Sequence, residues 1–373
     1  MSASLEIQLI AVIVSVACAL PGVFLVLRKM SMMSDSITHT ILLGIVLAFF
    51  MTQDLSSPFL IAGAALMGVV TVALTETLAK TRLMSEDSSI GLVFPLLFSI
   101  AVILITRYTG SVHLDTDSVL LGELAFAPFD RMIVFGADIG AKALYTSGAL
   151  LLINAVLIAV FYKELKISAF DPLLAAVLGF SPVAIHYGLM ALVSLTAVGA
   201  FEAVGSVLVV AFMIGPPVTA YLLTDDLKAM LALSAVFGAL GGVLGYQAAA
   251  LLDVSIAGSM AVAVGLIFSV VFVAAPKRGL VGVLLRKRRN RREYAQTTLL
   301  FHVCNHQNSP EKRQENGINT IAEHLHWDKK KLEKIVFSLI SGNKAIIDHD
   351  IIIATSDGVK MAEAAKDRFF KGL

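Results

Sequence analysis

Apolar runs of about twenty residues recur through the first three quarters of the chain, separated by short polar or basic breaks. They predict membrane-spanning helices near residues 5–27, 34–51, 58–79, 89–106, 143–162, 183–200, 203–223, 229–251 and 256–275. Eight or nine crossings are expected, because residues 183–223 form one long apolar stretch interrupted by Gly199, Glu202, Gly205 and the breaker Gly215-Pro216-Pro217. That stretch reads either as two spans or as a pair of discontinuous half-helices. Beyond residue 295 the pattern changes to that of a small soluble domain. It predicts helices at 295–306, 318–326 and 328–342, strands at 344–348 and 351–354, and a last helix at 356–370. The expected fold class is an all-α polytopic membrane protein followed by a small α+β domain of winged-helix type. The expected divisions are a transmembrane domain at 1–276, a polybasic juxtamembrane linker at 277–294 and the small domain at 295–373.

Composition agrees: 57% of residues are hydrophobic and 15% charged. The net charge of +1 hides a division, since residues 1–275 hold 10 Lys/Arg against 17 Asp/Glu and residues 276–373 hold 19 against 11. If the spans alternate, Arg28, Lys29, Lys80, Arg82, Lys163, Lys166, Lys228 and the tail share one side, which is expected to be cytoplasmic. The opposite ends carry Asp54, Asp115, Asp117 and Asp253, with Arg107 and Arg131 at the rims of one loop. Such an acidic mouth either concentrates cations or only solvates loops. The basic run at 286–292 is expected to anchor the topology and touch anionic lipid headgroups. Residues 1–8 lack a basic leader and run into a full-length apolar segment, which is expected to be a retained span. Cys18 and Cys304 lie in different regions and imply neither a disulfide nor a CxxC zinc site.

Candidate chemistry concentrates in the second span, where Asp35 and His39 stand four residues apart and share a helix face. A carboxylate oxygen and an imidazole nitrogen so placed can converge on one divalent cation, and ionisable groups at membrane depth are costly unless functional. Two ligands are too few for a structural zinc site, so others must come from elsewhere in the fold or from water; an incompletely held ion can leave again. Glu202 is the second intramembrane carboxylate, expected either to line a cation path or to cap a broken helix. In the polar segment at 170–182, Asp171 is a helix N-cap, Pro172 the first helical residue and Gly179 a stop. Such a short helix beginning after Phe170 either docks a partner protein or lies in the headgroup plane. There is no GxxxxGK[ST] phosphate loop, so any ATP-driven motor acting through that chemistry would be another polypeptide.

Four stretches in register carry a resemblance: residues 22–39 with Asp35 and His39, residues 86–94, residues 170–179, and residues 204–224. Together they resemble the permease subunits of the manganese, zinc and iron family of ABC transporters, over residues 5–276. The resemblance implies import of a divalent metal as substrate, with no permanently bound cofactor. It also implies two cytoplasmic ATPase subunits, an extracytoplasmic metal-binding protein, and a second permease copy or paralogue. It places the metal-contacting pair on Asp35 and His39 and the ATPase coupling helix on residues 170–179. Two departures stand out: the segment at 130–146 is longer than usual, and most members lack a tail after Pro276.

The tail is similar to the winged-helix domains of metal-responsive repressors, with 328–342 in the recognition-helix position and Lys329, Lys330, Lys331 and Lys334 on it. A regulatory or dimerisation module is expected ahead of nucleic-acid binding through 295–373, since a membrane-tethered DNA reader has an access problem. His302 and His306, at i,i+4 spacing, together with His324, His326 and His349, are candidates for cytoplasmic metal sensing. The competing functions are a membrane-anchored metal-responsive transcriptional regulator and an ion-coupled secondary transporter. The second of these leaves the segment at 170–179 without a role.

Overall fold

A computed structural model describes residues 2–54, 57–108, 124–134 and 137–370, apart from the side chains of Val134, Ala137, Glu202 and residues 367–370. Asp115 and Asp117 of the expected acidic mouth lie outside the described residues. The chain divides into two compact units, Met1–Gly279 and Leu280–Leu373.

In the first unit the helices are α1 (Ala3–Leu27), α2 (Ser31–Thr52), α3 (Phe59–Lys80), α4 (Glu86–Tyr108), α5 (Lys142–Val160), α6 (Tyr162–Phe170), α7 (Pro172–Val177), α8 (Pro182–Val204), α9 (Ser206–Leu223), α10 (Leu227–Leu252) and α11 (Ile256–Ala274). Among the described residues nine of these are long and apolar enough to cross a membrane, α6 and α7 being the exceptions. Residues 183–223 are two helices, not half-helices, and the break falls at Gly205 alone. Its φ of 77° and ψ of 165° form a backbone that a side chain would strain. Pro216 and Pro217 do not break α9. Both are buried with Phe212 and Met213, so packing neighbours hold the helix where two amide donors are missing.

The spans are not equivalent. In α1, 67% of the most apolar window is buried, and in α2 61%, against 17% in α11. The first two helices are therefore the centre of the unit: α1 packs on α5, α8, α9 and α10, while α2 packs on α3, α4, α8 and α9. Lipid tails are as apolar as Leu, so close backbone approach and polar contacts must join the helices. A Cβ on Gly44 of α2 would overlap the carbonyl oxygen of Gly63 in α3. Nearby, Thr71 Oγ1 donates to Thr40 Oγ1 at 2.8 Å. Asn154 of α5 donates to Ala17 O of α1 at 2.8 Å and to Thr196 of α8 at 2.9 Å.

Before α5 the chain forms an antiparallel hairpin, β1 (Arg131–Val134) with β2 (Ala137–Ala141), where only a longer loop and helix are expected from the sequence. Arg131 ties it to α1 by pairing with Glu6 at 3.1 Å and with Asp138 at 2.9 Å. The Arg131 hydrogen bond holds the Asp138 carboxyl below the usual carboxylate range.

The second unit contains α12 (Leu280–His306), α13 (Lys312–Glu315), α14 (Ile321–His324), α15 (Lys329–Ser341), β3 (Ala345–Asp348), β4 (Ile351–Ala354) and α16 (Ser356–Phe370). The helix expected at 295 starts at Leu280, so the basic run at 286–292 lies on it, with an Arg289–Glu293 pair at 3.6 Å. Leu332, Ile335, Val336 and Leu339 are buried at i, i+3, i+4 and i+7 of α15 and meet Leu299, Leu300 and Val303 of α12 in one core. β3 and β4 pair in register as a hairpin, Ala345 opposite Ala354 and Asp348 opposite Ile351.

Candidate metal site and coupling helix

Asp35 and His39 occupy the second and third turns of α2, with His39 about 12 Å along the helix axis from Ser31. Their closest approach is 3.5 Å, between His39 Nε2 and Asp35 Oδ1. The imidazole is held on its other side by two rings of α4: Phe94 at 5.2 Å between centroids and Phe98, edge-on, at 6.0 Å. Thr38 Oγ1 donates to the Asp35 carbonyl at 2.8 Å, which keeps the hydroxyl from competing for the carboxylate. Within this unit the Asp35 side chain remains 44% exposed and that of His39 23%. A carboxylate in a spanning helix cannot face hydrocarbon in that state, so it faces water, a cation or another subunit.

Glu202 stands in the last turn of α8, one turn before Gly205; its side chain lies outside the described residues.

The segment at 170–179 folds as its sequence predicts. Asp171 Oδ1 accepts from the Leu174 amide at 2.9 Å, Pro172 opens α7, and Gly179 leaves it at φ 89° with the Phe180 amide returning to Ala175 O at 3.0 Å. Only Ala175 is buried; Leu173 is 81% exposed and Val177 84%, with Phe170, Leu174 and Leu178 also exposed. The six helical residues display an apolar face of the kind that docks in a protein groove or lies in the headgroup plane.

A polar network beside α7 is absent from the reading of the sequence. Arg28, in the short turn between α1 and α2, approaches His186 Nδ1 of α8 at 2.9 Å and donates to Ser168 Oγ of α6 at 2.6 Å. Glu76 of α3 pairs with His186 Nε2 and accepts from Tyr187 Oη at 3.0 Å. These groups border an open cavity of about 460 Å³ that also touches Pro172 of α7. Burial pulls the Arg28 guanidinium below its ordinary value and Glu76 opposes the shift. The signal was available, since Glu76 and His186 are ionisable residues in predicted spans. Their separation of 110 residues hid the pairing.

In the second unit, the His302 and His306 rings lie 4.9 Å apart between centroids, tilted by 42°, and the His324 ring stands edge-on 5.9 Å from that of His302. His349 is instead paired with Asp348 at 2.7 Å in the β3–β4 turn. Lys329, Lys330 and Lys334 are exposed on α15, while Lys331 lies over the Trp327 ring at 4.0 Å.

Nine long apolar helices among the described residues, one of them carrying a carboxylate–imidazole pair, make the first unit that of a polytopic membrane protein. The sequence profile of the ABC 3 transport family matches residues 4–275, and the chain belongs to that family. It is 43% identical over 364 residues to the zinc transport system membrane protein TroD of Treponema pallidum, covering 98% of this chain and 99% of that protein. It is 46% identical over 294 residues to the manganese transport system membrane protein MntD of Bacillus subtilis, covering 78% of this chain and 99% of that one. Among solved structures, PsaBC from Streptococcus pneumoniae in complex with Fab superimposes with a TM-score of 0.61 at 29% identity, over 73% of this chain and 91% of that chain. The chain is thus a multi-pass ABC-transporter permease with the helical fold of that importer.

Proposed function

We propose that this chain passes a divalent transition metal through the cytoplasmic membrane as the permease of an ATP-driven importer, with Asp35 and His39 as metal ligands. The carrying observation is the pair itself, 3.5 Å apart and still part-exposed on a spanning helix. Carboxylate and imidazole donors suit manganese, zinc and iron and do not order them, and manganese and zinc lead only because they are the metals named for the relatives. The half-exposed pair is completed by a second permease copy or paralogue, and Glu202 adds to the cation path. An extracytoplasmic binding protein delivers the ion.

A separate cytoplasmic ATPase receives α7, whose exposed apolar face supports docking better than burial in headgroups and has no part in an ion-coupled secondary transporter. Motion of α7 reaches the metal ligands by a short route: α6 carries Ser168, Ser168 holds Arg28, and Arg28 lies three residues before the start of α2. The second unit serves as a cytoplasmic regulatory or dimerisation module of winged-helix type. Its helix and hairpin order supports that reading, and its basic helix α12 suits anionic lipid.

The test is accumulation of Mn, Zn and Fe, read by elemental mass spectrometry, in a host lacking metal import and expressing this chain with its ATPase and binding protein. Wild type should raise one metal. Asp35→Ala and His39→Ala, at matched membrane levels, should each lower that rise by roughly 100-fold, the effect of losing a ligand. Uptake unchanged by both substitutions would sink the site assignment.

A further inference from the structure

The second unit brings together three donors that the transport reading does not use. His302 comes from α12, Glu315 from the end of α13 and His324 from the end of α14. Glu315 Oε2 lies 2.6 Å from His324 Nδ1 and 3.6 Å from His302 Nε2, and the three donor atoms all lie within 4.8 Å of one another. Among the described residues this is the one set of three such donors close enough to share an ion. Tetrahedral ligands at about 2.0–2.1 Å from zinc stand about 3.3 Å apart, so only a small closure is needed.

The set is built, not scattered. Asn316, fully buried next to Glu315, donates through Nδ2 to Val303 O at 3.1 Å and fixes the chain reversal against α12. Thr320 Oγ1 donates to Gln314 O at 2.6 Å and ties α14 to α13. His302 Nε2 is also within 3.0 Å of the Glu315 carbonyl. The side chains are 16%, 23% and 32% exposed for His302, Glu315 and His324, leaving one side open to solvent, with the His306 ring beside it. A simple surface ion pair needs one imidazole. Here two imidazoles from different helices converge on one carboxylate oxygen, the donor set of a three-ligand site with an open position.

We propose that His302, Glu315 and His324 bind a divalent first-row transition-metal ion, at a site separate from Asp35 and His39. The ion competes with protons for the same donor atoms, so binding weakens in acid. Locking α13 and α14 to α12 would make the unit responsive to metal on the side where the basic residues place it.

The experiment uses the full-length chain in detergent micelles carrying Asp35→Ala and His39→Ala, which isolates the site from the transport pathway. Co²⁺ is titrated while its ligand-field absorption is recorded, Zn²⁺ is then used to displace it, and bound metal is measured per chain. The parent should bind about one ion with a spectrum of low-coordinate nitrogen and oxygen ligation. Affinity should fall roughly tenfold or more in His302→Gln, Glu315→Gln and His324→Gln, and not in His326→Gln. Metal should raise the unfolding temperature of the parent and leave that of the conservative variant Glu315→Gln unmoved, which separates loss of ligation from loss of folding. Equal stoichiometry and spectra in the parent and all three variants would overturn the site. Because uptake is not the readout, this result is independent of whether the transport reading holds.

Discussion

At the scale of single residues, the protein relies on ionisable groups that hydrocarbon would reject. Asp35 and His39 are legible in the sequence because both fall on one face of one predicted helix, four residues apart. Glu76 and His186 carry the same signal separately, but only folding makes them neighbours and adds Arg28, Ser168 and Tyr187. Glu76 pairs with His186 Nε2 and Lys80 and accepts from Tyr187 Oη, so Glu76→Ala leaves His186 Nε2 and the Tyr187 hydroxyl without their carboxylate partner. With Glu76 19% exposed, the loss should be on the order of 2 kcal/mol, less than for a fully buried pair. Thermal unfolding in detergent should show it. Glu76→Gln, which keeps an acceptor for Tyr187, should cost less stability while still uncoupling ATP hydrolysis from uptake. A Glu76→Ala protein as stable and active as wild type would remove this network from the coupling route.

At the scale of elements, α7 shows a local motif doing what its sequence says. An Asp cap, a Pro at the first helical position and a Gly stop fix six residues with little help from the rest of the fold. The Asp171 bond to the Leu174 amide is the cap, and Asp171→Ala should destabilise α7 by about 1 kcal/mol. Val177→Asp leaves the cap intact and places a charge on the exposed apolar face. It should abolish co-purification of the ATPase while metal bound to the permease stays the same. Equal ATPase recovery from Val177→Asp and wild type would show that α7 is not the docking element. By contrast, local rules left residues 183–223 open between two spans and two half-helices, and the structure decided for two spans, with α9 continuous through Pro216 and Pro217. Proline usually breaks an isolated helix, but inside a bundle its neighbours hold the backbone.

At the scale of the whole molecule, nine spans among the described residues put the two ends of the first unit on opposite sides of the membrane. On the expectation that basic residues mark the cytoplasmic side, Arg82, between α3 and α4, and the second unit are predicted to face the cytoplasm, and Asp54, between α2 and α3, the outside. In a background with Cys18 and Cys304 replaced, Asp54→Cys should react with a membrane-impermeant maleimide on intact cells, and Arg82→Cys only after lysis. The reverse pattern would invert the topology and the direction assigned to every element. The number and position of the spans were legible because each depends on a run of apolar residues, a local property. So were the pair in α2, the α7 plug and the helix and strand order of the second unit. Tertiary structure alone decided which spans lie at the centre. Burial of α1 and α2 comes with close approaches at small residues, Gly22 of α1 against Met213 of α9 and Gly44 of α2 against Gly63 of α3, and lipid-facing and protein-facing runs are equally apolar in sequence. It alone joined Arg28 to His186 and Glu76, and His302 to Glu315 and His324, because a charge partner far along the chain leaves no periodic trace.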